Sequence, residues 1–252
     1  ADLLRWFQLG NFAPSKSVLN DQFGVAAAKW AFDSGVLKIR KIRRDRDPLA
    51  DYFFQQEFAH SPTDKQKLAI HEIVTQVLAA KPSSNPNDRQ FLLHGVTGSG
   101  KTEVYLQVIE ACIAAGKQAI FLVPEIALTP QTLRRIASRF PGKVGILNSG
   151  LTLGQRYDQW WRIKNGEFPI VLGSRGAVFA PIQNPGLIVI DEEHEWTYKQ
   201  SDLNPRYHAR TVAERISKET GATLVLGSAT PDVTTYRAAE SGLYRLLDLP
   251  ER

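Results

Sequence analysis

The stretch "GVTGSGKT" (95–102) holds residue types at the spacing needed to cradle phosphate. It is a complete G-x-x-x-x-G-K-T, with the apolar "FLLH" before it and the helix-like "EVYLQVIEACIAAG" after it. Gly95, Gly98 and Gly100, with Ser99 between them, let backbone N–H groups close around phosphate oxygens. Lys101 brings positive charge to the terminal phosphates, and Thr102 offers a hydroxyl to Mg²⁺. The expected ligand is therefore a nucleotide with Mg²⁺. Some ninety residues on, "LIVIDEEH" (187–194) has the form of a buried strand that delivers Asp191 to the edge of a sheet, facing the metal held by Thr102. Glu192 is suited to orienting and deprotonating an attacking water. With Glu193 and Glu195, four carboxylates lie close together, and without a cation they would repel one another. His194 is either a satisfied polar residue or a reporter of nucleotide state. "GSATP" (227–231) closes the last strand of the series with Ser228 and Thr230, hydroxyls placed to link the nucleotide site to whatever the rim of the sheet binds.

These motifs need a scaffold, and the chain supplies an alternation of strand and helix. "FLLHG", "QAIFLV", "KVGIL", "PIVLG", "LIVID" and "TLVLGS" are short apolar runs, with helical patterns between most of them. Such alternation predicts an α/β lobe of the P-loop NTPase, RecA-like kind, a mostly parallel sheet with helices on both faces. Ligands of this class bind at the carboxyl ends of the strands.

The N-terminal part differs. Residues 1–48 hold nine Lys and Arg against five Asp, net +4, while the rest of the chain is nearly balanced. Three helical patterns, "DLLRWFQLG", "SKSVLNDQFG" and "GVAAAKWAFDSG", precede "VLKIRKIRRD", which alternates apolar and basic residues as a half-buried strand does. This layout predicts a small basic winged-helix domain over 1–48; the other reading is a helical hairpin packed on the next domain. Lys41, Arg43 and Arg44 lie in "KIRKIRRDR", either a DNA phosphate-contacting strip or a charge-protected strand edge. A linker is expected over 49–62 and the ATP-binding lobe over 63–252.

At 252 residues and 43% hydrophobic content the chain can bury a substantial core. No apolar run reaches the roughly 18 residues that span a bilayer, and no signal segment opens it, so no membrane partner and a cytoplasmic location are expected. The lone Cys112 excludes an internal disulfide framework and fits a buried thiol. The chain starts "ADLLRW" and contains no Met, as an excised piece of a longer protein would.

The P-loop, "DEEH" and "GSAT" follow the order and spacing of the first motor lobe of superfamily II helicases. "LVPEIALTPQT" (122–132), "GSRGAVFAP" (173–181) and "DEEHEWTYKQ…RYHAR" resemble more closely the bacterial replication-restart helicases. The resemblance covers about residues 63–252; the basic module before it matches that family's winged-helix domain in position more than in motif. It implies a 3′-to-5′ DNA helicase that serves primosome assembly at stalled forks. Gln66 is similar to a glutamine that recognises adenine. Thr129, Gln131, Ser174 and Arg175 fall in segments lining the path of single-stranded DNA. Trp196, Tyr198, Tyr207 and His208 resemble an aromatic-rich loop whose rings stack on bases, Tyr207 being the ring best suited to the core instead. One loop would then join the ATP switch to the DNA sensor. Asn148 stands where relatives more often carry His. The same resemblance implies partners in forked and single-stranded DNA, primosome proteins and single-strand-binding proteins. It also implies parts outside this chain: a second motor lobe with its arginine, a zinc-binding C-terminal insertion and a domain for 3′ DNA ends. A fragment of this kind would hydrolyse ATP slowly and not unwind. The alternatives are a nucleotide-switched DNA-binding scaffold and another DNA-repair translocase.

Overall fold

The computed structural model describes residues 16–38, 46–49, 57–79 and 85–251. The chain divides into two compact units, residues 1–44 and 45–252. In the first, α1 (Lys16–Phe23) and α2 (Val25–Asp33) meet at Gly24, whose φ of 80° lets the chain turn between them. Leu19, Ala28 and Ala31 are their buried contacts. The expected first helix of the basic module, its basic strand, and Lys41, Arg43 and Arg44 lie outside the described residues. The division falls four residues before the expected end of that module. Within the second unit, Arg46 bonds Asp158 through its backbone N–H (3.1 Å) and guanidinium (3.3 Å), and Asp47 pairs with Arg162 at 3.7 Å.

The second unit is built on seven strands: β1 (Gln90–Gly95), β2 (Gln118–Leu122), β3 (Val144–Leu147), β4 (Ile170–Gly173), β5 (Pro185–Ile190), β6 (Thr223–Ser228) and β7 (Arg245–Leu249). Their order is β3-β4-β2-β5-β6-β1-β7, and every pairing is parallel. The six expected strands are all present. The seventh was missed because "RLLDL" is a half-exposed edge with Arg245 and Asp248 inside it, so it lacks the continuous apolar run of its neighbours.

Because side chains alternate across a sheet, each strand supplies two cores. Phe91, Leu93, Phe121, Leu172 and Val189 pack with α3 (Asp64–Leu78), α4 (Lys101–Ala114) and α5 (Pro130–Arg139) on one face. Leu92, Ile120, Val171, Ile190 and Leu226 pack with α6 (Leu153–Lys164), α7 (Ala209–Thr220) and α8 (Val233–Glu240) on the other. Cys112 sits in the first core, where burial pushes its thiol up to about 12, so it stays an inert thiol at neutral pH. No described helix is long and apolar enough to cross a membrane. The parallel order brings the ends of β1, β2, β4, β5 and β6 to one edge of the sheet, and the motifs of the sequence follow those ends.

Candidate functional site

β1 runs into the glycine loop and the loop into α4. Gly98 and Gly100 have φ of 86° and 81°, left-handed values that glycine adopts without steric cost. Gln66 explains the tightness at Gly100. Its side chain accepts from Thr63 N in the capping box of α3 and donates to Ser99 O at 2.8 Å, so it lies directly against the loop. Lys101 is 8% exposed and donates to Gly95 O at 2.7 Å. Ser99 Oγ is buried with no hydrogen-bond partner. A cleft of about 340 Å³ is lined by Gly98, Gly100, Lys101, Thr102, Asp191 and Glu192, together with Thr97 and Arg135. Open helix N–H groups and a buried lysine suit a polyphosphate, and Thr102 and Asp191 on one cleft suit a hard divalent cation. The residues present therefore fit a metal-nucleotide ligand.

Asp191 follows β5, and its N–H is held by Leu122 O. Tyr105, fully buried on α4, donates to Asp191 Oδ1 at 3.1 Å. This contact depends on Gly227: any Cβ there would collide with the Tyr105 hydroxyl. Burial, then the neighbouring Glu192 charge, raises the Asp191 pKa to about 6, against the opposing pull of Tyr105 and Lys101. Glu192 turns the chain with φ of 48°, a left-handed value rare for residues other than glycine. Its carboxylate lies 3.6 Å from His194 Nδ1, which in turn lies 2.7 Å from Ser228 Oγ. Ser228 Oγ also accepts from the backbone N–H of Thr230. The chain of contacts thus uses the Ser228 hydroxyl and the Thr230 backbone; the expected use of the Thr230 hydroxyl is not seen, and Thr230 is exposed.

Mutual repulsion among four carboxylates does not hold either. Glu193 turns away from the cleft and is 1% exposed. It accepts from Arg210 at 3.1 Å, Thr235 Oγ1 at 2.9 Å and Asp232 N at 2.8 Å, while its own N–H bonds Gly227 O. Glu193, Arg210 and Tyr105 were missed by sequence reasoning. The only signal available was that the residue after Glu192 is a third acid and that "RYHAR" ends in a cation.

The expected DNA-facing residues separate in space. Tyr198 is 1% exposed, and its hydroxyl donates to Asp191 O at 2.6 Å. It is therefore a core residue and not a stacking ring, because the apolar face of α7 covers it. Tyr207, expected as the core ring, is only half-buried and meets Phe179 edge-to-face at 4.9 Å. His208 caps α7: its Nδ1 accepts from Arg210 N, and burial, with Arg210 and Lys199 nearby, lowers its pKa and keeps the ring neutral. Trp196 is 77% exposed. Arg175 donates to Thr197 O and Lys199 O, so it braces the aromatic loop from the end of β4. Ser174, Arg175 and Tyr207 line one rim cavity of about 480 Å³ with Asn148, Trp160 and Phe179. Thr129, the N-cap of α5, and Gln131 are exposed and lie outside that lining, as do Trp196 and His208.

The family model of the DEAD/DEAH box helicases matches residues 63–238. The chain is 44% identical over 227 residues to the replication restart protein PriA of Bacillus subtilis, covering 90% of this chain and 27% of that protein. It is 52% identical over 209 residues to PriA of Chlamydia trachomatis (81% and 27%), and 46% over 248 residues to PriA of Treponema pallidum (94% and 36%). It thus spans about a quarter to a third of the length of these relatives. Among solved structures, RecG bound to a three-way DNA junction matches with a TM-score of 0.56 and 26% identity, over 77% of this chain and 24% of that one. The Hef helicase domain of Pyrococcus furiosus shares the fold, with a TM-score of 0.51 and 17% identity over 76% and 38%.

Two expected outcomes follow from the buried charges. The folded pKa of Asp191, about 6, lies above the 3.8 of a free aspartate side chain. Ionising it therefore lowers stability as pH rises between those values, and the loss persists above them. In EDTA without nucleotide, Asp191→Asn should raise the melting temperature at pH 8 by roughly 2–6 °C and leave it near wild type at pH 4. Arg210→Ala leaves the Glu193 carboxylate buried without its cation, and urea denaturation should show a loss of about 3–5 kcal/mol.

Proposed function

We propose that this chain, which belongs to the DEAD/DEAH box helicase family, is the first motor lobe of an ATP-driven 3′-to-5′ DNA helicase that acts in replication restart. The observation that carries this is a single turn with two attachments. Asp191 and Glu192 share a cleft with the P-loop, and the loop that begins beside them carries the exposed Trp196 and is anchored by Tyr198 on the carbonyl of Asp191. The names and the 44–52% identities of the PriA relatives support the restart role.

In this reading Gly95, Gly98, Ser99, Gly100 and Lys101 bind the phosphates of ATP, and Gln66, already against the loop, faces the adenine. Thr102 and Asp191 hold Mg²⁺, which when bound neutralises charge on the phosphates. Glu192 orients the attacking water and accepts its proton. His194, Ser228 and the Thr230 backbone carry the state of that site toward the rim. Thr129, Gln131, Ser174 and Arg175 border the DNA backbone, and Trp196, Tyr207 and His208 meet the bases. The basic module is proposed over 1–48 and the connection to the lobe over 49–62, although Arg46 and Asp47 already pair with α6, and Lys41, Arg43 and Arg44 would contact DNA phosphates. The full-length protein would work in the bacterial cytoplasm on forked and single-stranded DNA, with primosome and single-strand-binding proteins. Any zinc site would belong to sequence outside this chain.

The test is steady-state ATP hydrolysis by the full-length protein with and without forked DNA. Glu192→Gln should lower DNA-stimulated turnover by about 100-fold or more while the nucleotide Kd stays within a few-fold. Turnover that survives the substitution would remove Glu192 from its role, and a wild-type protein that binds ATP and DNA without DNA-stimulated turnover would leave nucleotide as a switch.

A further inference from the structure

The rim cavity is distinct from the P-loop cleft, and its lining is unusual for a surface that meets DNA only through phosphate. Asn148 stands just past the end of β3, with its Oδ1 buried and without a hydrogen-bond partner. Glu125 also lines the cavity and accepts from the Ser149 hydroxyl. The cavity thus offers acceptors for an N–H donor, beside the guanidinium of Arg156, whose NH2 donates to Ser149 O at 3.5 Å. The NH1 group of Arg175, which would otherwise serve as a phosphate clamp, donates to the carbonyls of Thr197 and Lys199.

Three rings, with Leu147 and Leu203, line the same space beside the polar Arg156, Ser174 and Gln200. Trp160 on α6 is 37% exposed, Phe179 54% and Leu203 69%. Trp160 is held in place before any ligand arrives, by the edge of Trp161 at 5.2 Å and the Lys164 ammonium at 5.1 Å. Phe179 and Tyr207 are fixed on each other edge-to-face. Rigid rings of this kind, with a few convergent polar groups in about 480 Å³, match a small planar ligand. Exposed rings gathered around one cavity are a surface that expects an occupant.

We propose that this cavity receives one unstacked nucleobase of single-stranded DNA, with Trp160 as its stacking face and Asn148 Oδ1 as acceptor for an exocyclic amino group. The proposal rests on the single-stranded DNA reading given above. It adds a base contact separate from that of Trp196, and it favours bases that carry an exocyclic amine. Cytosine, adenine and guanine carry one; thymine does not.

The experiment uses this chain and fluorescence anisotropy with labelled single strands of oligo(dC), oligo(dT) and an all-abasic backbone of equal length. The expected order is oligo(dC) tighter than oligo(dT) by about three- to tenfold, with the abasic strand weakest. Asn148→Ala should erase the preference for cytosine while oligo(dT) binding stays near wild type. Trp160→Ala should weaken both base-bearing strands by about tenfold, and Trp160→Phe should recover most of that loss. If Trp160→Ala is shown by circular dichroism to be misfolded, the Asn148 arm alone decides. Equal binding of all three strands, or a preference for cytosine that survives Asn148→Ala, would overturn the base pocket and leave the helicase reading standing. No binding of any strand by the wild-type chain would overturn the single-stranded DNA reading itself.

Discussion

The arrangement of the whole site depends on one buried carboxylate. Glu193 has no access to solvent, and an unpaired charge there would cost several kcal/mol. It is held by Arg210 from the start of α7 and by Asp232 N and Thr235 from α8, while its own N–H bonds Gly227 in β6. Four segments therefore meet at one residue, between Glu192 of the nucleotide cleft and His194, which bonds Ser228. Arg210 also lies 3.8 Å from Glu214, whose carboxylate accepts from Tyr244, so the tie extends into the second core. A turn pinned in this way can hold Glu192 at a left-handed φ that an unpinned chain would relax.

The two functional surfaces are chemically opposite, although they lie on the same sheet edge. The cleft at the P-loop is polar and cationic on one wall and acidic on the other, and the acidic wall is incompletely satisfied without a cation: Asp191 is raised to about 6 by burial and by Glu192. The rim cavity gathers three rings with acceptors on Glu125 and Asn148 and donors on Arg156 and Gln200. Between them runs the loop that contains Tyr198, whose hydroxyl bonds the backbone of Asp191, and Arg175 braces the same loop from the other side. The elements proposed to bind different ligands thus share hydrogen bonds, which is the physical condition for one ligand to affect the other.

Much of this was legible in the sequence. The P-loop, the Asp191–Glu192 pair and six of the seven strands could be read because each rests on local pattern: glycine spacing, apolar runs and an acid at a strand end. What was not legible depends on contacts distant in sequence. Whether Tyr198 or Tyr207 enters the core is decided by the covering of α7, and a row of rings has no periodicity that could say so. Glu193 reads as one more acid until Arg210, seventeen residues later, is seen beside it. Trp160 reads as part of an amphipathic helix, and only the position of α6 at the end of β3 brings it to the cavity beside Asn148. β7 failed for the opposite reason, since an edge strand need not be apolar throughout.

The central claim is that the Asp191–His194 turn couples the nucleotide cleft to the DNA-facing rim, and it is tested most directly by linkage. The measurement is the Kd of this chain for a Mg²⁺-bound non-hydrolysable ATP analogue, taken alone and with saturating single-stranded DNA, together with the reciprocal pair for DNA. Coupling predicts that the two affinities change by the same factor, about 5-fold or more. Two ligands that bind independently, each with an unchanged Kd in the presence of the other, would contradict it.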